Sequence, residues 1–423
     1  MSRIEEMIRK LCPNGVEYCT FGETCKYIRG ITYNKSQEAK SITDDAWRVL
    51  RANNITLSSN TLNYEDVKLV SKKVKVKENQ LLRKGDILIC AGSGSKEHVG
   101  KVAYISEDID YTFGGFMAVI RCPERLNSRF LFHLLTSGRF SDYLCSALNS
   151  TTINNLSAGI IKDFLIPVPP LAIQNEIVNI LDKFTELEAE LEAELEARRK
   201  QYEYYRNKLL NFNEFTPQKI EVKWLTMSEV FEIKNGYTPS KAKPEYWTNG
   251  TIPWFRMEDI RTNGRILEDS IQHITPEAVK GGRLFPANSI ILATTATIGE
   301  HALIIADSLA NQRFTNLSIR KSLADELDMK FFFYYMFIVD EWCKNNTNTS
   351  GFESVDMVKF KKLQIPIPPM KEQQRIVAIL DKFETLVNDI SEGLPAEIAA
   401  RRQQYEYYRD RLLTFPKHIN YDE

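Results

Sequence analysis

The sequence predicts an α+β protein: two globular domains of mixed helix and strand, separated by two long helices that form an antiparallel coiled coil. A pseudo-twofold follows from an internal repeat. Three observations carry this. "RRKQYEYYRNKLLNF" (Arg198–Phe212) returns as "RRQQYEYYRDRLLTF" (Arg401–Phe415). "FLIPVPPLAIQNEIVNILDKF" (Phe164–Phe184) returns as "LQIPIPPMKEQQRIVAILDKF" (Leu363–Phe383). The stretches outside these copies mix period-two and helical patterns. The Pro-led segments repeat at an offset of 199 and the Tyr-rich ones at 203, so the second copy holds four more residues between them. A repeat at this scale organises the whole chain: a first globular domain (1–166), a spacer helix (167–213), a second domain (214–365) and a second spacer helix (366–423).

In the constant segments, Ile-Pro-x-Pro-Pro is an extended lead that cannot be helix interior. Behind it, Ile177, Ile180, Phe184, Leu187, Leu191 and Leu195 run into Tyr202, Tyr205, Leu209 and Phe212 in steps of three and four, as in a coiled-coil seam. Consecutive fours through "ELEAELEAELEA" form a stutter. The second copy runs Ile376, Ile379, Phe383, Leu386, Ile390, Leu394 and Ile398 into Tyr405, Tyr408, Leu412 and Phe415. Gly393 and Pro395 predict a break there, with Pro395 opening a fresh turn. Two matching apolar stripes most simply pair with each other, and a helix of about 40 residues is ~60 Å long.

In the globular halves, "GDILICA", "GKVAYI", "GFMAVIR", "SIILATT" and "TNLSIRK" read as strands. "SRFLFHLLTSGRFSDYLCSAL" and "MKFFFYYMFIVDEWCKN" read as helices. Weak echoes align the two halves: "IRGITYNK" with "IKNGYTPSK", "WRVLRANNI" with "IPWFRMEDI", and "GDILICAGSGSKEHVG" with "NSIILATTATIGEHA". The second of these sets Arg51 opposite Arg256.

Composition bounds the function. The 423 residues are 43% hydrophobic and 26% charged, with a net charge of −1, which fits a soluble multidomain protein. No apolar run reaches the ~18 residues of a membrane span, and the start lacks a secretory pattern. Seven cysteines without a C-x-x-C pair read as reduced thiols, and the expected location is cytoplasmic. The first 166 residues lean basic and the rest slightly acidic, so contact with DNA must come from local patches. Nothing supports an enzyme. "GSGSKEHVGKV" fails as a phosphate loop, because Val102 stands where a Ser or Thr would hold magnesium. The five histidines are isolated, with no second ligand at metal spacing.

The doubled "IPxPP…Q…I…ILDKF" helix, the "ELEA" run, the doubled "ARR[KQ]QYEYYR[ND][KR]LL" segment and the opening "CPNGVEY" (Cys12–Tyr18) together resemble the specificity subunit of type I restriction–modification systems. The resemblance spans essentially the whole chain. It implies two target recognition domains that each read one half of a split, asymmetric double-stranded DNA site, and a spacer that also docks two modification subunits and two restriction subunits. It implies a non-catalytic chain without a cofactor of its own; S-adenosylmethionine, ATP and Mg belong to the partner subunits, which methylate adenine N6 or cleave. A competing reading is a coiled-coil scaffold that tethers two protein-binding domains.

Under the resemblance, base readout falls to polar loops at corresponding places. In the first half these are Arg48, Arg51, Asn53 and Asn54 with Ser93, Ser95 and Lys96. In the second they are Arg256, Glu258 and Asp259 with Thr294, Thr295, Thr297 and Arg313. Arg suits guanine, Asn adenine and carboxylates cytosine, whereas Ser, Thr and Lys more often hold phosphate; Arg51 and Arg256 have structural ion pairs as the competing role. Off the seam, Arg198, Arg199, Tyr204 and Arg206, with Arg401, Arg402, Tyr407 and Arg409, are candidates for meeting a partner subunit or DNA phosphates.

Overall fold

The computed structural model describes residues 3–39, 46–57, 59–148, 155–212, 221–348, 352–388 and 393–417. The chain forms two compact units, Met1–Glu192 with Glu397–Glu423, and Ala193–Ala396. The long helix Leu171–Leu210 starts in the first unit and ends in the second.

The first unit is built on a four-stranded antiparallel sheet in the order Lys26–Arg29, Met117–Arg121, Ile87–Cys90, Val102–Tyr104. The second unit has the same order, Phe231–Asn235, Phe314–Ile319, Ser289–Ala293, His301–Ile304, and adds Ile266–Leu267 in parallel at the edge. The central strands Ile87–Cys90 and Ser289–Ala293 are buried at every position. That is why they read as unbroken apolar runs: helices or a second sheet cover both faces. A small three-stranded sheet also recurs. Lys68–Ser71, Ala46–Leu50 and Thr112–Phe113 form it in the first unit, and His273–Ile274, Ile252–Phe255 and Leu309–Ala310 in the second. The strands predicted from sequence are all present. The predicted helical run after Asn127 divides into Ser128–Leu135 and Gly138–Leu148.

The faint sequence echoes have a steric cause. A Cβ on Gly30 would come within 2.2 Å of the Phe113 and Gly114 carbonyl oxygens, and one on Gly236 within 2.3 Å of those of Ala310 and Asn311. Only glycine permits that backbone approach.

Each unit is fastened to the helices by the same device. Gln174 is fully buried; its Nε2 donates to the carbonyls of Pro169 (2.7 Å) and Arg125 (3.0 Å), and its Oε1 accepts from the Asn127 N–H at 2.7 Å. Gln373 repeats this with Pro368 (2.8 Å), Glu326 (3.0 Å) and the Asp328 N–H (2.8 Å). Asn127 and Asp328 in turn cap the helices Ser128–Leu135 and Met329–Asn345.

The aspartate of each "ILDKF" is the second fastening. Asp182 accepts from Arg129 Nε and pairs with His133 Nε2, both at 2.8 Å, while His133 Nδ1 lies 2.9 Å from the Tyr405 hydroxyl. Asp381 accepts from Lys330 Nζ at 2.8 Å and from the Tyr334 hydroxyl at 2.5 Å. Burial lowers the His133 pKa against the pull of Asp182, so the imidazole is neutral, with Nε2–H donating. Burial alone would raise the Asp182 pKa, but the bonds from His133 and Arg129 hold it below the usual range.

Between the helices, Phe184 stacks on Tyr408 in the first unit at 5.5 Å, and Phe383 stacks on Tyr205 in the second at 5.8 Å. These are the same two repeat positions with their copies exchanged, so each unit holds one half of a reciprocal antiparallel pairing. Arg402 adds ion pairs to Glu188 and, at 2.6 Å, to Glu192. The seam is drier at its ends than in its middle: Ile173, Ile177 and Leu181 are buried, whereas Leu187 is 47% exposed. The second helix runs Met370–Asn388 and resumes at Leu394, with Gly393 bent and Pro395 in the first turn; Ile390 lies outside the described residues.

Two predictions follow from these fastenings. Gln174→Ala and Gln373→Ala strand buried carbonyls and each lower stability by about 2–3 kcal/mol, whereas exposed Gln403→Ala changes it by less than about 0.5 kcal/mol; urea unfolding measures both. For pH, the native His133 resists a proton that the unfolded chain accepts at about 6.5. Stability is therefore intact above that pH and declines as pH falls below it. The unfolding midpoint of His133→Gln has a shallower acid slope than that of the unaltered chain.

Candidate nucleic-acid interface

Backbone hydrogen bonds stitch three segments into one platform in each unit. In the first, the Gly114 N–H donates to the Leu50 carbonyl (2.9 Å) and the Ala91 N–H to the Phe116 carbonyl (2.8 Å). In the second, the Asn311 N–H donates to the Phe255 carbonyl (3.0 Å) and the Thr294 N–H to the Arg313 carbonyl (2.9 Å). The strand end before Arg51 or Arg256, the loop after the central strand, and the turn at Phe116 or Arg313 are thereby neighbours. The sequence points to the first two segments in both halves and to the third, through Arg313, only in the second half.

The platform of the first unit borders a groove of about 1540 Å³ lined by Arg29, Arg51, Asn53, Ser93, Lys101 and Phe116, among others. Arg51 Nη2 pairs with Asp66 at 2.7 Å, and Asn53 Nδ2 donates to the same carboxylate at 3.1 Å. Lys101 is buried, donates to the Ile55 carbonyl at 2.9 Å, and has its pKa lowered by desolvation. Ser93 Oγ accepts from the exposed Ser95 N–H at 3.2 Å. Arg48 is exposed, stands 5.7 Å from the Tyr111 ring centre, and is not among the groove's lining residues. The side chain of Lys96 lies outside what is described.

In the second unit Arg256 Nη2 pairs with the exposed Glu258 at 3.1 Å. Thr294 is buried against Thr315, their hydroxyls 3.1 Å apart. Thr295 is half-buried and bridges to Ser354, and Arg313 is exposed. The Thr297 hydroxyl is buried and has no hydrogen-bond partner among the described residues. Arg51 and Arg256 share one more feature, a buried Nε without an acceptor among the described residues. Both pairing carboxylates are exposed, and ion pairs to such groups contribute only about 0–1 kcal/mol, so each guanidinium exchanges its carboxylate at little cost.

Three groups of expectations are corrected. Asn54 and Asp259 are wholly buried and cap short helical turns: Asn54 Oδ1 accepts from the Arg51 N–H at 2.9 Å, and Asp259 Oδ2 from the Arg256 N–H at 2.7 Å. Asp259 Oδ1 also accepts from the Ile271 N–H at 2.7 Å. They position the arginines and are not available to bases. Thr294 is likewise interior. Among the helix residues, Arg409 is buried over the Tyr405 ring and is withdrawn from any partner, whereas the half-buried Arg206 lies over the rings of Tyr202 and Phe337 and the half-buried Arg402 joins the helices. Arg198 and Arg401 make pairs with Glu194 and Glu397 four residues back, and Arg199 is exposed. Tyr204 and Tyr407 are each 60% exposed and lean edge-on against Tyr205 and Tyr408.

Among the described residues no three His, Cys, Asp or Glu side chains gather as a metal site, and no helix is long and apolar enough to cross a membrane.

Removing the caps tests the assignment of Asn54 and Asp259. Asn54→Ala costs about 1 kcal/mol and Asp259→Ala about 2 kcal/mol, the range of a lost helix cap; denaturant unfolding at unchanged stability contradicts it.

The comparisons with known proteins bear on the whole chain. The sequence profile of the "Type I restriction modification DNA specificity domain" matches twice, at residues 13–197 and 219–400. The chain is 55% identical over 213 residues to the Escherichia coli type I restriction enzyme EcoprrI specificity subunit, covering 49% of this chain and 53% of that one. It is 45% identical over 261 residues to the E. coli EcoR124I/EcoR124II specificity subunit, covering 59% and 61%. The match thus spans about half to three-fifths of these two relatives. A putative type I specificity subunit of Haemophilus influenzae is 34% identical over 342 residues, covering 75% of this chain and 84% of its own. In fold, the chain matches a solved structure described for complex assembly and conformational transition of the type I R-M system, with a TM-score of 0.66 at 17% identity, covering 95% of this chain and 98% of that one. With two copies of the family's domain over most of its length, the chain belongs to the type I restriction–modification DNA specificity family.

Proposed function

We propose that the chain is the DNA-reading, non-catalytic subunit of a type I restriction–modification assembly. Each unit reads one half of a bipartite, asymmetric duplex site, and the helices fix the gap between the halves. One observation carries the reading: the two units repeat a single backbone plan down to Gln174 and Gln373, yet display different side chains on the same platform. A shared frame with divergent tips suits two readers of two sequences.

In the first unit the base- and phosphate-contacting group is Arg48, Arg51, Asn53, Ser93, Ser95 and Lys96. In the second it is Arg256, Glu258, Thr295, Thr297 and Arg313. Arg51 and Arg256 leave their carboxylate partners for a guanine edge or a phosphate. The duplicated Tyr204 and Tyr407, beside Arg198, Arg199 and Arg401, offer one surface twice, which fits two copies of a single modification subunit. Two restriction subunits complete the assembly. S-adenosylmethionine, ATP and Mg belong to those partners, and the assembly acts in the cytoplasm.

The test is to co-express the chain with its modification subunit and sequence single DNA molecules for methylated adenine. A bipartite motif with a fixed gap is expected. Arg256→Ala then relaxes about one base position in one half-site, a loss of 1–3 kcal/mol in discrimination. Binding that ignores salt and shows no bipartite motif would instead mark a protein scaffold, because phosphate contacts make affinity fall steeply with salt.

A further inference from the structure

We infer that Phe116 determines specificity in the first unit's half-site by apolar contact with the C5-methyl group of a thymine. This deepens the DNA-reading role proposed above and rests on it.

Phe116 is 74% exposed, although it sits on a fixed backbone. Its carbonyl accepts from the N–H groups of Ala91 (2.8 Å) and Gly92 (2.9 Å), and the Met117 N–H closes the turn onto the Gly114 carbonyl at 2.8 Å. The next residues, Met117–Ile120, are all buried. The ring is therefore not a core side chain that has slipped outward. It projects from the tip of a turn pinned to the sheet, into the rim shared with Arg29, Arg51 and Asn53. Cations beside it suit phosphate, and Asn53 and Arg51 suit base edges.

The second unit strengthens the assignment. Phe116 accepts from Ala91 as Arg313 accepts from Thr294, and Met117 pairs with Cys90 as Phe314 pairs with Ala293. The same backbone position thus carries an aromatic ring in one unit and a guanidinium in the other. Arg is matched to the acceptors of guanine, and an apolar ring to the methyl group that only thymine presents in the major groove. One platform position reads chemically opposite features in the two half-sites.

The experiment uses the full complex with its modification subunits. The recognised motif is mapped by methylated-adenine sequencing, and then each thymine in turn is replaced by deoxyuridine, which removes only the methyl group. The expected result is a loss of about fivefold in affinity at one position of one half-site, the scale of one buried methyl group. Phe116→Ala abolishes that sensitivity and admits other bases there, while preferences in the other half-site are unchanged. Phe116→Leu retains part of the sensitivity. The assignment is overturned if no thymine in either half-site is sensitive to the substitution, if Phe116→Ala keeps full specificity, or if it weakens every duplex equally, as a wedge between base steps or a non-specific contact would. Absence of any bipartite motif in the unaltered complex overturns the DNA-reading role itself and this assignment with it, an outcome distinct from a motif that Phe116→Ala leaves untouched.

Discussion

The reciprocal stacking of the two helix copies is the constraint on which the rest depends. A segment that appears twice and pairs with its own copy in antiparallel fashion can make one contact twice, with the roles exchanged, as in an isologous dimer interface. Phe184 on Tyr408 and Phe383 on Tyr205 are one such contact made in both senses. Each aromatic pair adds about 0.5–1.5 kcal/mol beyond its buried area. Where both copies serve both roles, a change in one must suit the other, which accounts for the likeness of the Pro-led and Tyr-rich segments while the domains around them diverge.

The fastenings between helices and domains obey the same rule. Gln174 and Gln373 each hold three backbone groups, and Asp182 and Asp381 each hold a cation and a ring-bearing donor. The chemistry is allowed to vary only at the far end: Arg129 with His133 in one unit, Lys330 with Tyr334 in the other. The platform loops lie beyond these fixed points. Their backbones are stitched to the sheet, so a side chain such as Phe116 or Arg313 can change without disturbing the frame.

How much of this was legible in the sequence depends on whether a feature is local. The repeat, its offsets, the strands and the Gly393–Pro395 interruption are short-range patterns and could be read directly. The alignment of Arg51 with Arg256 was also legible, because the same capped turn, closed on Asn54 or Asp259, holds each in the same local geometry. What escaped were tertiary relations. Arg206 looks like a surface residue from heptad phase, yet the helix Met329–Asn345 lays Phe337 across it from over a hundred residues away. Asp182 looks like a solvated position until His133 and Arg129 reach it. Phe116, in "GGFMAVIR", reads as the start of a buried strand, and only the turn geometry turns it outward. Asn54 and Asp259 fit a base-reading code by composition, but a buried cap uses the same residue types.

The spacer gives the most direct test of the proposal that the helices fix the gap between the two half-sites. The first helix is continuous through its "ELEA" repeats, so deleting Glu188–Leu191 brings Glu192 and Glu196 into the places of Glu188 and Glu192 and restores the acidic partners of Arg402. Four residues correspond to ~6 Å of helix, against about 3.4 Å per base pair. Mapping the methylated motif of this deletion should give both half-site sequences unchanged and a gap shorter by one or two base pairs. The same gap in the deletion as in the unaltered chain would contradict the account.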